Sequence, residues 1–366
     1  MKRTIAGFLA LFLLLLSGCE GWFSSSYRSV TPHVEQSYPT EDVAASLAPP
    51  VVTNRNELRG TVLSFIRDWT ESGTILVEAY SGDVAADLQE TMDYVTQEDP
   101  IGAYAVDYAD SEFYGDRENG RIEISIVFRR SAAEIDSIVT VNGIAGANVK
   151  IRQALSDYES SLTLRIRNYA ARDFASYIRQ YCMDNPDAVL AIPAVSAEVY
   201  PKEGETCILE LHLNYPKGRD EMRDMLASVN TILNSASSYI RSGADDYERA
   251  TLLCRFLTTR FDYALLEEEP NMPAYSLLCE GQAHSLSFAI VFAAECKKAE
   301  IPCTIISGTL GDNAHYWNAL ELDGATYHLD LMRCLSQDVN SLELLTPEQL
   351  AALGYQWQDA PPQPAP

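Results

Sequence analysis

Cys279, His315 and Asp330 stand in that order in the C-terminal third of a 366-residue chain. Gathered in one folded site, these residue types make a nucleophile, a general base and a group that orients the base. The thiolate attacks an amide carbonyl, the amine leaves and a thioester forms. Water or a second amine then resolves it. Cys279 precedes an apolar pattern in which Ala283, Leu286, Ala289, Ile290, Ala293 and Ala294 mark one helix face, with Gly281 permitting a tight entry. A thiol at a helix N-terminus feels the positive end of the dipole, which favours thiolate, and the outward N–H groups there can hold an oxyanion. Lys297, Lys298 and Ala299, followed by Pro302, supply the end of that helix.

The base and its partner are expected on a hairpin. Cys303–Ser307 reads as a strand and Gly308–Asn313 as a loop, and Asp323-Gly324 is a favoured two-residue type I′ turn between alternating segments. That turn sets Trp317 opposite Asp330 and Ala319 opposite His328. His315 and Asp330 are then diagonal neighbours on one face, within side-chain reach. Asp330 would fix the imidazole tautomer and leave the second ring nitrogen for Cys279. His284, on the expected helix, is a rival base, and His328 is expected to pack. Cys279, His315, His328 and Asp330 contain no tight ligand pair, so no metal and no cofactor is expected.

These segments resemble the transglutaminase-like core of the papain-like cysteine-enzyme superfamily. Cys279-Glu-Gly-Gln-Ala resembles its Cys-x-Gly-x-Ala/Ser motif, Ile301-Pro-Cys-Thr-Ile-Ile-Ser-Gly-Thr its Gly-Ile-Pro strand, His315-Tyr-Trp-Asn its His-x-Trp-Asn motif and Thr326-Tyr-His-Leu-Asp330 its Trp-Tyr-His-Val-Asp motif. The ending Leu345-Thr-Pro-Glu-Gln-Leu to Trp357 also fits bacterial members. The resemblance implies Cys279 as nucleophile, His315 as base and acid, Asp330 as orienter, and Trp317 and Asn318 as supporting residues, and Gln282 beside the thiol is taken as a further supporting residue. Leu277 and Leu278 replace the small residues often found before the cysteine, and Gln282 replaces an aromatic. Tyr263 and Tyr275 are candidates for the oxyanion donor. The implied activity is cleavage or transfer at amide bonds of peptides or proteins, a cell-wall peptide being one candidate substrate, with hydrolysis favoured. The alternative is a non-catalytic scaffold or binding protein.

Stepping N-terminally, an internal repeat at an offset of about 86 residues precedes this core. Strands near Ile75–Tyr80 and Leu162–Ile166 are followed by helices carrying Val84, Leu88, Met92 and Val95, and Ala170, Phe174, Ile178 and Tyr181. Middle strands at Tyr104–Tyr108 and Leu190–Ala194 come next. Late strands follow, alternating at Ile122, Ile124, Ile126 and Phe128 and at Cys207, Leu209, Leu211 and Leu213. Helices around Ser131–Val139, with a Ser131/Glu134 capping box, and Asp220–Val229 close each copy. The expected fold is α+β: two small repeated α+β modules (57–143 and 144–235), then a transglutaminase-like core (240–358) with the nucleophile helix packed on an antiparallel sheet. The core opens with an amphipathic helix, Tyr247–Phe261.

Lys2 and Arg3 followed by the apolar run Ile5–Leu16 form a targeting segment, and Leu16-Ser-Gly-Cys19 resembles a bacterial lipobox. The expectation is a signal peptide over 1–18, a lipid on Cys19 holding the protein to the cell membrane from the extracytoplasmic side, and a flexible tether over 19–56 rich in Ser, Pro and Thr. A Pro-rich tail occupies 359–366. The net charge of −25 repels phosphate and excludes a nucleic-acid partner. The eight cysteines show no Cys-x-x-Cys pair, so buried thiols are expected, with Cys296–Cys303 and Cys182–Cys207 as alternative disulfides. On this reading Cys279 alkylates quickly below about pH 8, and His315→Ala abolishes that reactivity.

Overall fold

The computed structural model describes residues 48–260, 262–336 and 343–358. The expected signal peptide, Cys19, most of the tether and the Pro-rich tail lie outside the described residues. From Pro50 onward the chain forms one compact unit. The fold is α+β throughout.

Its first sheet uses β1 (Val51–Asn54), β2 (Ser72–Ser81), β3 (Val106–Gly115) and β4 (Asn119–Phe128), in the order β1-β2-β4-β3. Helices α1 (Arg55–Arg67), α2 (Val84–Asp93) and α3 (Pro100–Ala105) cover it, and α4 (Ala132–Asp136) follows. The second sheet uses β5 (Val139–Asn142), β6 (Ser161–Arg167), β7 (Ala194–Tyr200) and β8 (Thr206–Asn214) in the equivalent order β5-β6-β8-β7. Its helices are α5 (Gly143–Ser156), α6 (Phe174–Asp184) and α7 (Arg219–Ala236).

The repeating unit is longer than the sequence pattern suggests, because each copy opens with a short parallel strand and a helix. β1 pairs with β2 and β5 with β6, so residues 51–56 belong to a strand and a helix, not to a tether. Val139 starts β5 and does not end a helix; the Ser131/Glu134 capping box is present, but α4 runs for one turn. Ala170 precedes α6, whose buried face is Phe174, Ile178 and Cys182. Leu190–Ala194 ends where β7 begins. Alternation is strong evidence for the buried strands β4 and β8, but these edge strands carry mixed, half-solvated faces with a weak signal.

The third sheet is β13-β12-β11-β14, built from β11 (Cys303–Leu310), β12 (Asn313–Leu322), β13 (Ala325–Leu329) and β14 (Tyr355–Trp357). Ala319 pairs with His328, as the turn predicted. Asp323 and Gly324 both have positive φ, the signature of the type I′ turn. The expected loop 308–313 is shorter than predicted, because β11 runs on to Leu310. Helix α8 (Asp246–Thr259) leads through β9 (Ala264–Leu265) to α9 (Pro273–Leu278) and β10 (Gln282–Ala283). The central helix α10 (Ser285–Lys298) follows, and α11 (Leu331–Ser336) and α12 (Pro347–Ala352) lie around the third sheet.

Helix α10 is apolar on every side, and eleven of its residues from Ser285 to Cys296 are buried. Such a helix belongs inside a protein rather than on it. One hydrophobic core runs from Ile151, Leu209 and Leu233 of the second module to Leu257, Phe292 and Leu329 of the C-terminal region. The first module has its own core, closed by Ile208 of β8. Arg130 and the buried Glu210 pair across that same contact.

Glu295 is the one carboxyl among these buried residues of α10. It is 1% exposed, and neither carboxyl oxygen has a partner among the described residues. Burial holds its pKa well above the ordinary value, with Lys298 opposing. A raised acid pKa means that folding retains a proton that the unfolded chain releases. This stability is full below about pH 4.5 and is lost as pH rises toward the folded-state value. Glu295→Gln should therefore raise the melting temperature at about pH 8, and the gain should vanish near pH 4 in a melting series against pH.

Candidate functional site

The His–Asp contact predicted from the hairpin is present. His315 Nε2 lies 2.8 Å from Asp330 Oδ2. Asp330 is 4% exposed, and two more groups bond its carboxylate. The Tyr355 hydroxyl donates to Oδ2 at 2.6 Å, the Met332 N–H donates to Oδ1 at 2.9 Å, and α11 begins directly after it. Burial, then the hydrogen bond to Asp330, pushes the Tyr355 phenol up.

Trp317 supports this arrangement from below. It is 1% exposed, its Nε1–H donates to His328 Nδ1 at 3.0 Å, and its ring stacks near His315 and meets Tyr355 edge-on. His328 is thus a packing partner. Asn318 is fully buried and its Nδ2 donates to Ala289 O at 2.9 Å, tying β12 to α10. Gly308 shows why the neighbouring strand needs a glycine. A Cβ there would sit 2.3 Å from Gln356 O and 2.5 Å from the Trp317 ring.

Cys279 is placed differently from the sequence expectation. It caps the C-terminus of α9, with its N–H donating to Tyr275 O at 2.8 Å. Gly281 then takes a positive φ, where a Cβ would sit 2.9 Å from Asp262 O, β10 pairs with β9, and the long helix begins at Ser285. The thiol therefore does not sit at the start of α10, and among the described residues it makes no hydrogen bond to His315. Its pKa is raised, first by burial and then by the Glu280 carboxylate, the reverse of the shift expected for a helix N-terminus. Gln282 lies in β10 opposite Ala264, and among the described residues it makes no hydrogen bond to the His315–Asp330 dyad. The Tyr263 hydroxyl donates to Leu257 O, which turns it away from an oxyanion role.

Ser285 and His284 occupy the place expected for the thiol. Ser285 is the first residue of α10, 5% exposed, and its Oγ accepts the N–H of Tyr316, the residue after His315, at 3.3 Å. His284 caps the helix, its Nδ1 accepting from Leu286 N at 3.2 Å. Burial lowers the His284 pKa, Glu269 opposes this, and nearby His315 adds to it. Ser285, polar and directly before Leu286, fits the rule for a helix start, but so do the residues ahead of Ala283, and the sequence pattern does not choose between them. Arg179 and Glu269 carry no sequence signal, yet they join α6 to this edge. Arg179 pairs with Glu269 and donates to the Tyr316 hydroxyl at 3.0 Å, and Tyr316 donates to Glu269 at 3.2 Å.

Residues 234–330 match the family model described as the transglutaminase-like superfamily, so the chain carries a transglutaminase-like domain over that stretch. No curated protein sequence matches the chain. Among solved structures, a candidate cysteine protease from Cytophaga hutchinsonii is similar at 12% identity and TM-score 0.26, over 45% of this chain and 70% of its own. A TGase is similar at 8% identity and TM-score 0.25, over 57% of this chain and 60% of its own. A candidate protease from Parabacteroides distasonis is similar at 9% identity and TM-score 0.23, over 71% of this chain and 39% of its own.

The Asp330 network makes a stability prediction independent of any activity. Tyr355→Phe keeps the ring packing and removes one buried hydrogen bond to a carboxyl. Urea unfolding should show a loss of roughly 1–3 kcal/mol without a change in secondary structure.

Proposed function

We propose that this is an extracytoplasmic protein, lipid-anchored through Cys19, whose transglutaminase-like domain binds peptide or protein chains without forming a thioester on them. One observation carries the reading: the helix start beside the strand of His315 is occupied by Ser285, whose buried hydroxyl accepts from Tyr316 N, while the Cys279 thiol lies on another turn. Thioester chemistry needs a thiolate, which an imidazole can generate from a thiol near neutral pH. A serine hydroxyl is far harder to ionise, and no hydrogen bond joins Ser285 to His315 among the described residues. The dyad then serves the fold, as a buried, hydrogen-bonded junction of β12, β13, β14 and α11.

A thiol moved to the helix start tests this. Iodoacetamide labelling between roughly pH 4 and 9, with mass-spectrometric site assignment, would be run on wild type, His315→Ala, Ser285→Cys and Ser285→Cys/His315→Ala. Cys279 should label as an ordinary thiol above about pH 8, unaffected by His315→Ala. Ser285→Cys should label at lower pH, and the double variant should lose that advantage. Fast, His315-dependent labelling of Cys279 below neutrality would restore the thiol-enzyme reading. Amide turnover that survives Cys279→Ala but not Ser285→Ala would replace binding with serine-dependent acyl transfer.

A further inference from the structure

Four thiols outside the candidate site meet in two pairs. Cys296 is fully buried near the end of α10. Ala299 N and Ile301 N both donate to its carbonyl, at 3.0 and 2.9 Å, so the chain doubles back on the helix end. That fold-back delivers Cys303, the first residue of β11, to the Cys296 thiol, and the two are within hydrogen-bond reach. Cys254 on α8 and Cys334 on α11 form the second pair, each 5% exposed and in the same core, with their thiols likewise in hydrogen-bond reach. Cys334 also donates its N–H to Asp330 O at 3.1 Å, so this pair stands one helical turn from the dyad. Among the described residues no group of three or more His, Cys, Asp or Glu is placed to hold a metal ion, which leaves thiol–thiol chemistry.

We propose that Cys254–Cys334 and Cys296–Cys303 are disulfides of the exported protein, formed as the C-terminal domain folds. The proposal rests on the extracytoplasmic placement given above, since oxidising compartments form and keep such bonds. In each pair two S–H bonds break and one S–S bond forms. The two protons and two electrons pass to an extracytoplasmic disulfide oxidant, whose own disulfide is reduced to a dithiol. The two bonds differ in effect. Cys296–Cys303 closes a short loop and locks the turn between α10 and β11. Cys254–Cys334 closes a long loop, the case in which a cross-link most restricts the unfolded chain. It also fixes the helix that follows Asp330 onto α8. Cys182 takes no part with Cys207, whose thiol donates to Gly204 O.

The test uses the full chain, reduced and unfolded, then refolded in a glutathione redox buffer. Free thiols are capped with iodoacetamide, and the digest is mapped without reduction. Peptides linking Cys254 to Cys334 and Cys296 to Cys303 are expected, with Cys279 capped. Cys334→Ser should lose the first link and keep the second, and Cys303→Ser the reverse. Reduction of the wild type should lower its melting temperature by several degrees. Thiols that remain capped singly, or links to other partners, would overturn the proposal. The outcome is independent of the Ser285→Cys labelling result, and fractionation of cells expressing the full chain separately reads its location.

Discussion

The burial of α10 on all sides is the constraint from which the rest of the C-terminal domain follows. A helix with no polar face must be enclosed, and enclosing it takes a sheet on one side and helices on the others. The sheet containing β12 supplies one wall, and α6, α7 and α8 contribute to the rest, so the second module shares a core with the domain that follows it. Phe288, Val291, Phe292 and Cys296, all 1% exposed or less, fill that core. Asn318, bonded from β12 to the Ala289 carbonyl, sets where along the helix the sheet docks. The start of α10 is thereby held beside His315.

Asp330 is the second organising point. A buried carboxyl is costly unless its oxygens are occupied. Here His315, Tyr355 and the Met332 N–H occupy them, drawing on β12, β14 and the first turn of α11. The layer of Trp317, His328, Tyr355 and Trp357 beneath shields the group from water. Such a network rewards retention of every member on structural grounds alone, because loss of one leaves another buried and unpaired. An ordered His–Asp pair is therefore compatible with a domain that binds without turning anything over.

The repeated sheets show how one connectivity tolerates different sequences. Both follow the order first, second, fourth, third strand, with the opening strand parallel to its neighbour. The shared signal survives in the fully buried positions of β4 and β8. It fades in the edge strands β3 and β7, where one face is wet and the side chains are free to vary.

The sequence alone determined the α+β class, the hairpin register and the His315–Asp330 contact. These rest on strictly local rules: a Asp-Gly turn fixes the pairing across two residues, and a period of two fixes which side chains share a face. Tertiary structure decided which residue begins α10 against the strand that carries His315. Between Cys279 and Leu286 the chain offers a glycine, two strand residues and two polar caps, and local propensity fits a helix start at more than one of them. The choice came from distant partners: Ala264 and Leu265, which draw Gln282 and Ala283 into β10, and Tyr316, which meets Ser285. Contacts between residues far apart in sequence leave no periodic trace in either partner, so the dyad was legible from its hairpin, while the residue that starts α10 beside Tyr316 was settled only in the packed fold.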